Sequence, residues 1–304
     1  MVLIKVEDRD QFGQGNRSRG IAIAQSLTRI GIKYCIISST GKWYEYLKLN
    51  FYNAILIEKN YKPNQEVEAI LKYFLGLKIN FIILDGDRFD VNYLNLLKSN
   101  QIKTVVLDDV ARVKRTNAWR LINPNIYSSK ELYQGWKIKS YLGSDYIILR
   151  DAFLKESNVK IIKNKILIVL GIMMDQNSTL EIAERLNAAG FVTKIAIGLT
   201  ADEMVDEIDS SELIICGVSV TLHEVWSRNR IALPVYQAED QVLFHEYLKM
   251  KDIPHIISIN RSKSEVINEV VLMTIKAFTN LQPQISFSKP QIDILFKQLV
   301  SETQ

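Results

Sequence analysis

The chain has 304 residues, 47% of them apolar and 24% charged, with a formal net charge of +4. This is the make-up of a globular protein that can bury a core, in one large or two ordinary domains. No basic or aromatic-interleaved run calls for nucleic acid, and no apolar run reaches the ~18 residues of a membrane span.

The stretch from Val2 to Gly31 sets the pattern for the rest. Apolar Val2 to Val6 read as a buried strand, and a polar loop with Gly13 and Gly15 follows. Ile21, Ala24, Leu27 and Thr28 then mark one side of a helix that Gly31 stops. Such a loop lies at the carboxyl end of a parallel strand, where ligands bind, and the helix start favours anions. Arg17, Ser18 and Arg19 stand where a dinucleotide fingerprint has its third glycine, and no G-K-[ST] ends the loop. A tight turn without a ligand accounts for the glycines equally well.

Further strands are predicted at Tyr34 to Ser38, Ala54 to Ile57, Asn80 to Leu84, Lys103 to Leu107 and Arg120 to Asn123. Helices are predicted over Gln65 to Leu77 and Tyr93 to Ser99. The polar stretch from Arg150 to Lys165 reads as an interdomain linker. A second series follows, with strands opening at Lys165, Val192, Leu213, Ala232 and His255 and helices at Thr179, Leu222, Ala238 and Ser264. After Pro283 and Pro290 comes a last helix, Gln291 to Val300. Alternating strands and helices predict an α/β protein of two Rossmann-like domains, 1–155 and 156–304, across a cleft, with the last helix returning to the first domain.

Cys35 and Cys216 sit in apolar runs, which suits buried free thiols in a reducing cytoplasm. His223, His245 and His255 lack ligand spacing, so neither a metal nor a cofactor is expected. Polar residues gather at predicted strand ends: Asp8 and Asp10, Asp85 and Asp87, Asp108 and Asp109, Asn123 and Asn125. Paired carboxylates can serve as acid and base, although Asp at such places more often caps the next helix. In the second half, the loops Gly171 to Thr179 and Gly217 to Thr221 join small and hydroxyl residues to a helix start, a natural phosphate cradle. Plain N-capping by Ser178, Thr179 and Thr221, with Glu224 completing a capping box, is the alternative.

The segment Tyr141 to Phe153, YLGSDYIILRDAF, resembles the hinge motif "LLGPxYALLRPEF" of the UDP-sugar hydrolases of pseudaminic acid synthesis. Those enzymes remove UDP from UDP-2,4-diacetamido-2,4,6-trideoxy-β-L-altropyranose. Other segments are similar to family motifs in the same order. GQGNRSR at Gly13 to Arg19 stands for G-x-G-H-x-x-R, and LDD at Leu107 to Asp109 and LINPN at Leu121 to Asn125 follow. LGIMMDQNST, with Gly171 and Asn177, resembles "GGSDPxNxT", and Thr221-Leu222-His223-Glu224 with Gln241 resembles "TxxE…NQ". The resemblance spans nearly the whole chain. It implies a GT-B fold like that of the MurG-type glycosyltransferases, with the nucleotide held mainly by the C-terminal domain.

Two departures bear on chemistry. The family's histidine is Asn16 here, and an amide cannot shuttle a proton near pH 7. The family's D-x-Y reads Asp85-Gly86-Asp87. The resemblance therefore implies a cytoplasmic UDP-sugar hydrolase in which Asp8, Asp10 or Asp87 replaces the histidine beside Asn16. Gly15 and Asn16 would meet the sugar and Thr221 and Glu224 the nucleotide, with Gly13, Arg19, Gly171, Asn177, Ser219 and Gln241 as further substrate-binding residues. Two alternatives stay open: a GT-B glycosyltransferase with a UDP-sugar donor, and a paralogue that binds a nucleotide sugar without turnover. A UDP-sugar is the expected partner, nucleic acid is not, and the oligomeric state is left open.

Overall fold

The computed structural model describes residues 1–8, 15–57, 62–111, 117–171, 174–279, 285, 287 and 290–303. The chain divides into two compact units, Met1–Arg150 with Ser288–Gln304, and Asp151–Phe287.

The first unit is a seven-stranded parallel sheet. Its strands are β1 (Val2–Val6), β2 (Tyr34–Ser38), β3 (Ala54–Leu56), β4 (Phe81–Asp85), β5 (Thr104–Leu107), β6 (Arg120–Asn123) and β7 (Lys139–Leu142), in the order β3-β2-β1-β4-β5-β6-β7. A parallel sheet is covered on both faces, which is why VLIKV, FIILD and TVVL are buried throughout. Side chains alternate between the faces. Val2, Ile4 and Val6 pack with α1 (Gly15–Arg29), α2 (Gly41–Leu49) and the C-terminal helix Ile292–Ser301. Leu3 goes to the opposite core, with α3 (Pro63–Tyr73) and α4 (Val91–Ser99).

Lys5 breaks the apolar run. It is fully buried, donates to Ser39 Oγ at 2.5 Å and pairs with Glu66 of α3 at 3.1 Å. Glu66 also accepts from Arg88 at 2.6 Å and from Tyr93 at 3.2 Å. Burial would raise the Glu66 carboxyl, but Lys5 and Arg88 bring it below its ordinary value.

The helix expected to reach Leu77 stops at Tyr73, because the chain turns at Gly76 with φ +77°. Three elements absent from the reading above are α2, β7 and, in the second unit, a helix at Ala201–Ser210.

The second unit is a five-stranded parallel sheet of β8 (Lys165–Val169), β9 (Val192–Ile195), β10 (Leu213–Gly217), β11 (Ala232–Tyr236) and β12 (Ile256–Ile257), in the order β12-β11-β10-β8-β9. Its helices are α5 (Gln176–Ala188), α6 (Ala201–Ser210), α7 (Val220–Ser227), α8 (Val242–Met250) and α9 (Lys263–Ala277), so the C-terminal helix is α10.

Each sheet has a point where the strand order reverses, between β1 and β4 in one and between β8 and β10 in the other. The carboxyl ends beside such a point form a crevice.

Candidate functional site

In the first unit the switch point is built around Arg19. The loop after β1 delivers α1, and Arg19 on its second turn reaches back over the ends of β4 and β5. Nε and Nη2 donate to Asp85 Oδ2 and Oδ1 at 2.8 and 2.6 Å, a bidentate pair. Nη1 donates to both oxygens of Asp109 at 2.9 and 2.8 Å, and Nη2 to Asn16 Oδ1 at 3.1 Å. Burial opposes the Arg19 charge, but Asp109 and Asp85 outweigh it and hold the guanidinium proton more tightly than usual.

The third side comes from β6. Asn125 Nδ2 donates to Asp109 Oδ1 at 2.8 Å and to Asn123 Oδ1 at 2.9 Å, and Tyr127 donates to the Asp109 carbonyl at 2.6 Å. Asn123 in turn donates to Tyr133, whose hydroxyl donates to the Asp108 carbonyl. Burial first, then nearby carboxylates, push both tyrosine hydroxyls well up, so they stay protonated donors. Within this cluster the Asp85 side chain is 2% exposed and that of Asp109 36% exposed. Asp109 is thus the carboxylate that solvent or a ligand reaches.

The other strand-end acids are placed differently. Asp8 is buried, and its Oδ2 accepts from Ser38 Oγ at 2.8 Å and the Ser39 N–H at 2.7 Å, tying β1 to the turn after β2. Arg17 donates to the Asp8 carbonyl. Asp87 lies exposed in the turn after Gly86. That turn needs glycine: φ is +141°, and a Cβ there would lie 2.6 Å from Glu7 Cβ. Asp108 Oδ1 accepts from the N–H groups of Val110 and Ala111, closing its own turn. Asp10 and Gly13 lie outside the described residues, and Gly15 is the first residue of α1.

In the second unit the switch point is framed by Leu170 and Gly171 after β8 and by Gly217 at the end of β10 with Val218 and Ser219 after it. Gly171 takes φ +63°, in the left-handed region. The N-cap of α7 is Ser219, which accepts from the Thr221 N–H at 3.4 Å. The expected capping box of Thr221 and Glu224 does not form, because the helix starts one residue before Thr221. Glu224 is nonetheless buried, and its charge adds to burial in pushing the Cys216 thiol up. Ser178 and Thr179 are not caps either. Asp175 caps α5, accepting from the Ser178 N–H and hydroxyl at 3.1 and 2.7 Å. Asn177 is exposed on its first turn.

Gln237, unremarked in the sequence, ties this crevice together. Its Nε2 donates to the Leu170 carbonyl at 3.2 Å, and its N–H donates to Gln241 Oε1 at 2.9 Å. A Cβ on Gly217 would lie 2.6 Å from Gln237 Oε1. A side chain at Gly217 would make the Gln237 amide swing away from this position. His223 packs among rings, 5.3 Å from Phe244. Among the described residues no group of three or more His, Cys, Asp or Glu could hold a metal ion.

The sequence matches no protein-family model and no curated protein. Solved structures do match, over the whole length. Acinetobacter baumannii MurG aligns with a TM-score of 0.64 at 16% identity, covering 99% of both chains. The spinosyn rhamnosyltransferase SpnG, complexed with thymidine diphosphate, aligns with a TM-score of 0.61 at 10% identity over 99% of this chain and 96% of that one. LpCGTa in complex with UDP gives 0.61 at 9% identity over 99% and 94%. Two parallel α/β units with this full-length likeness make the fold GT-B.

Proposed function

We propose that the chain is a glycosyltransferase that takes a sugar from a nucleoside diphosphate, with UDP as the carrier. Glu224 carries the reading. It is a buried carboxylate beside the loop at the second unit's switch point, on a helix capped by Ser219 instead. A carboxylate there suits the hydroxyls of a ribose, while the N–H groups at the start of α7 suit the diphosphate. The likeness to a rhamnosyltransferase bound to thymidine diphosphate and to a UDP-bound protein supports the same class.

The first unit is assigned the hydroxyl-bearing acceptor. Its oxygen attacks the anomeric carbon, the bond from that carbon to the diphosphate oxygen breaks, and the diphosphate leaves with the electron pair. Asp109, held in place by Arg19, takes the acceptor proton, and Asn16 and Asn125 orient the hydroxyl. Hydrolysis, with water as the acceptor, is the second reading. The hydrolase-like segment Tyr141 to Phe153 favours it, since it spans the point where the chain passes between units.

Titration calorimetry with UDP and thymidine diphosphate tests the carrier, and UDP release with and without a glycan or lipid acceptor separates transfer from hydrolysis. Glu224→Ala should weaken UDP binding by about 1–3 kcal/mol, the scale of a charge-assisted hydrogen bond. Unchanged affinity would leave Glu224 a packing role, and no binding of either nucleotide would sink the proposal.

A further inference from the structure

All strands of the first sheet run parallel, so its helix-to-strand loops share one end, opposite the carboxyl-end crevice. The loops 29–33, 48–53, 72–80 and 98–103 hold seven Lys or Arg and no Asp or Glu. Arg29 pairs with Asp293 at 2.7 Å, and Lys103 donates to the Glu302 carbonyl at 3.2 Å. The other five, such as Lys48 and Lys78, are exposed and have no carboxylate partner among the described residues.

The same loops expose large apolar side chains. Phe51 is 96% exposed, Leu75 84%, Leu49 76%, Tyr73 60% and Leu77 57%. Met1, Lys33 and Phe51 line one recess, so apolar and cationic groups are neighbours there. Phe51 is the telling residue. It follows the C-cap Asn50 of α2 and takes φ +61°, a position that favours Gly or Asn. A bulky aromatic there is strained and gains no packing in return.

From this we infer that the end of the first unit opposite its crevice docks on an anionic lipid bilayer, with Phe51, Leu49, Leu75 and Leu77 entering the headgroup boundary and the lysines facing lipid phosphates. Exposed aliphatic groups among cations fit a membrane interface, whereas nucleic acid gives leucines nothing to bind. A symmetric contact with a second copy would set the two cation-rich faces against each other. The inference does not depend on the proposed sugar transfer.

Co-sedimentation with phosphatidylcholine vesicles, with and without phosphatidylglycerol, tests it. Binding should require phosphatidylglycerol and fall with salt. Phe51→Asn relieves the strained turn, so it cannot act by unfolding; with Leu75→Ser it should cut binding by on the order of tenfold or more. Lys48→Gln and Lys78→Gln should each cost about fivefold. Ile197→Ser, at an exposed apolar site of the second unit, should change nothing. No binding to anionic vesicles at low salt overturns the inference. So does a dimer in light scattering that Phe51→Asn dissociates while vesicle binding is unaffected.

Discussion

At the scale of single residues, the question is which group moves a proton where Asn16 stands. Arg19 binds Asn16, Asp85 and Asp109 at once, so these side chains act as one unit. Asp85 is enclosed, and Asp8 is committed to Ser38 and Ser39. Within the Arg19 cluster, Asp109 is the carboxylate with a path to a ligand. Asp109→Asn should lower kcat by ~10²–10⁴ and change KM little, the range for a positioned acid–base group. Asp8→Asn should instead lower stability by about 1–3 kcal/mol, through hydrogen bonds lost in the core, and leave kcat within a few-fold. Steady-state kinetics beside urea unfolding separates the two, and equal kcat losses in both variants would refute the division of roles. The sequence displayed all these acids as strand-end pairs. It could not say which would face outward, because that depends on strands far apart in the chain meeting at Arg19.

At the scale of elements, legibility followed burial. Strands enclosed on both faces read as largely apolar runs, and β1, β2, β4, β5, β8 and β10 were found where those runs lie. The missed elements are half-exposed. β7, KSYL, buries only Tyr141, and α2 buries only Trp43 and Leu47. In α6 the signal was there and went unread, since Thr200 and Glu203 form a capping box ahead of buried Val205 and Ile208. The Lys5–Glu66 pair was illegible for another reason, because a lysine in a strand gives no hint of a carboxylate waiting on a later helix. That link between β1 and α3 is testable. Glu66→Ala leaves the buried Lys5 ammonium with Ser39 as its remaining hydrogen-bond partner and should destabilise by about 3–5 kcal/mol. Lys5→Met with Glu66→Leu should recover most of that loss in denaturant unfolding. If the double variant is no better than the single one, the loss comes from the Glu66 bonds to Arg88 and Tyr93 and not from an unpaired Lys5.

At the scale of the whole molecule, the first unit is discontinuous: the chain leaves it at Arg150 and returns at Ser288. The returning α10 buries Ile292, Leu295, Phe296 and Leu299 in the core that also holds Val2, Ile4 and Val6. Polar ties fix its place. Asp293 accepts from Ser26 at 2.5 Å, Glu302 pairs with Arg120 at 2.6 Å, and Asn80 donates to Thr303 at 2.7 Å. Burying four large apolar side chains stabilises by about 6–12 kcal/mol at roughly 1.5–3 kcal/mol each, comparable to the ~5–15 kcal/mol margin of a whole domain. A chain ending at Phe287 should therefore lose the first unit's fold and keep the second unit's, whose sheet and core lie wholly within 151–287. Calorimetry should show one unfolding transition gone and one retained. UDP affinity, assigned here to Glu224 and the α7 start, should survive in the shortened chain and still respond to Glu224→Ala. Loss of both transitions together would mean that the second unit needs the first to fold. Loss of UDP binding with the second transition intact would mean that the nucleotide needs residues of the first unit as well.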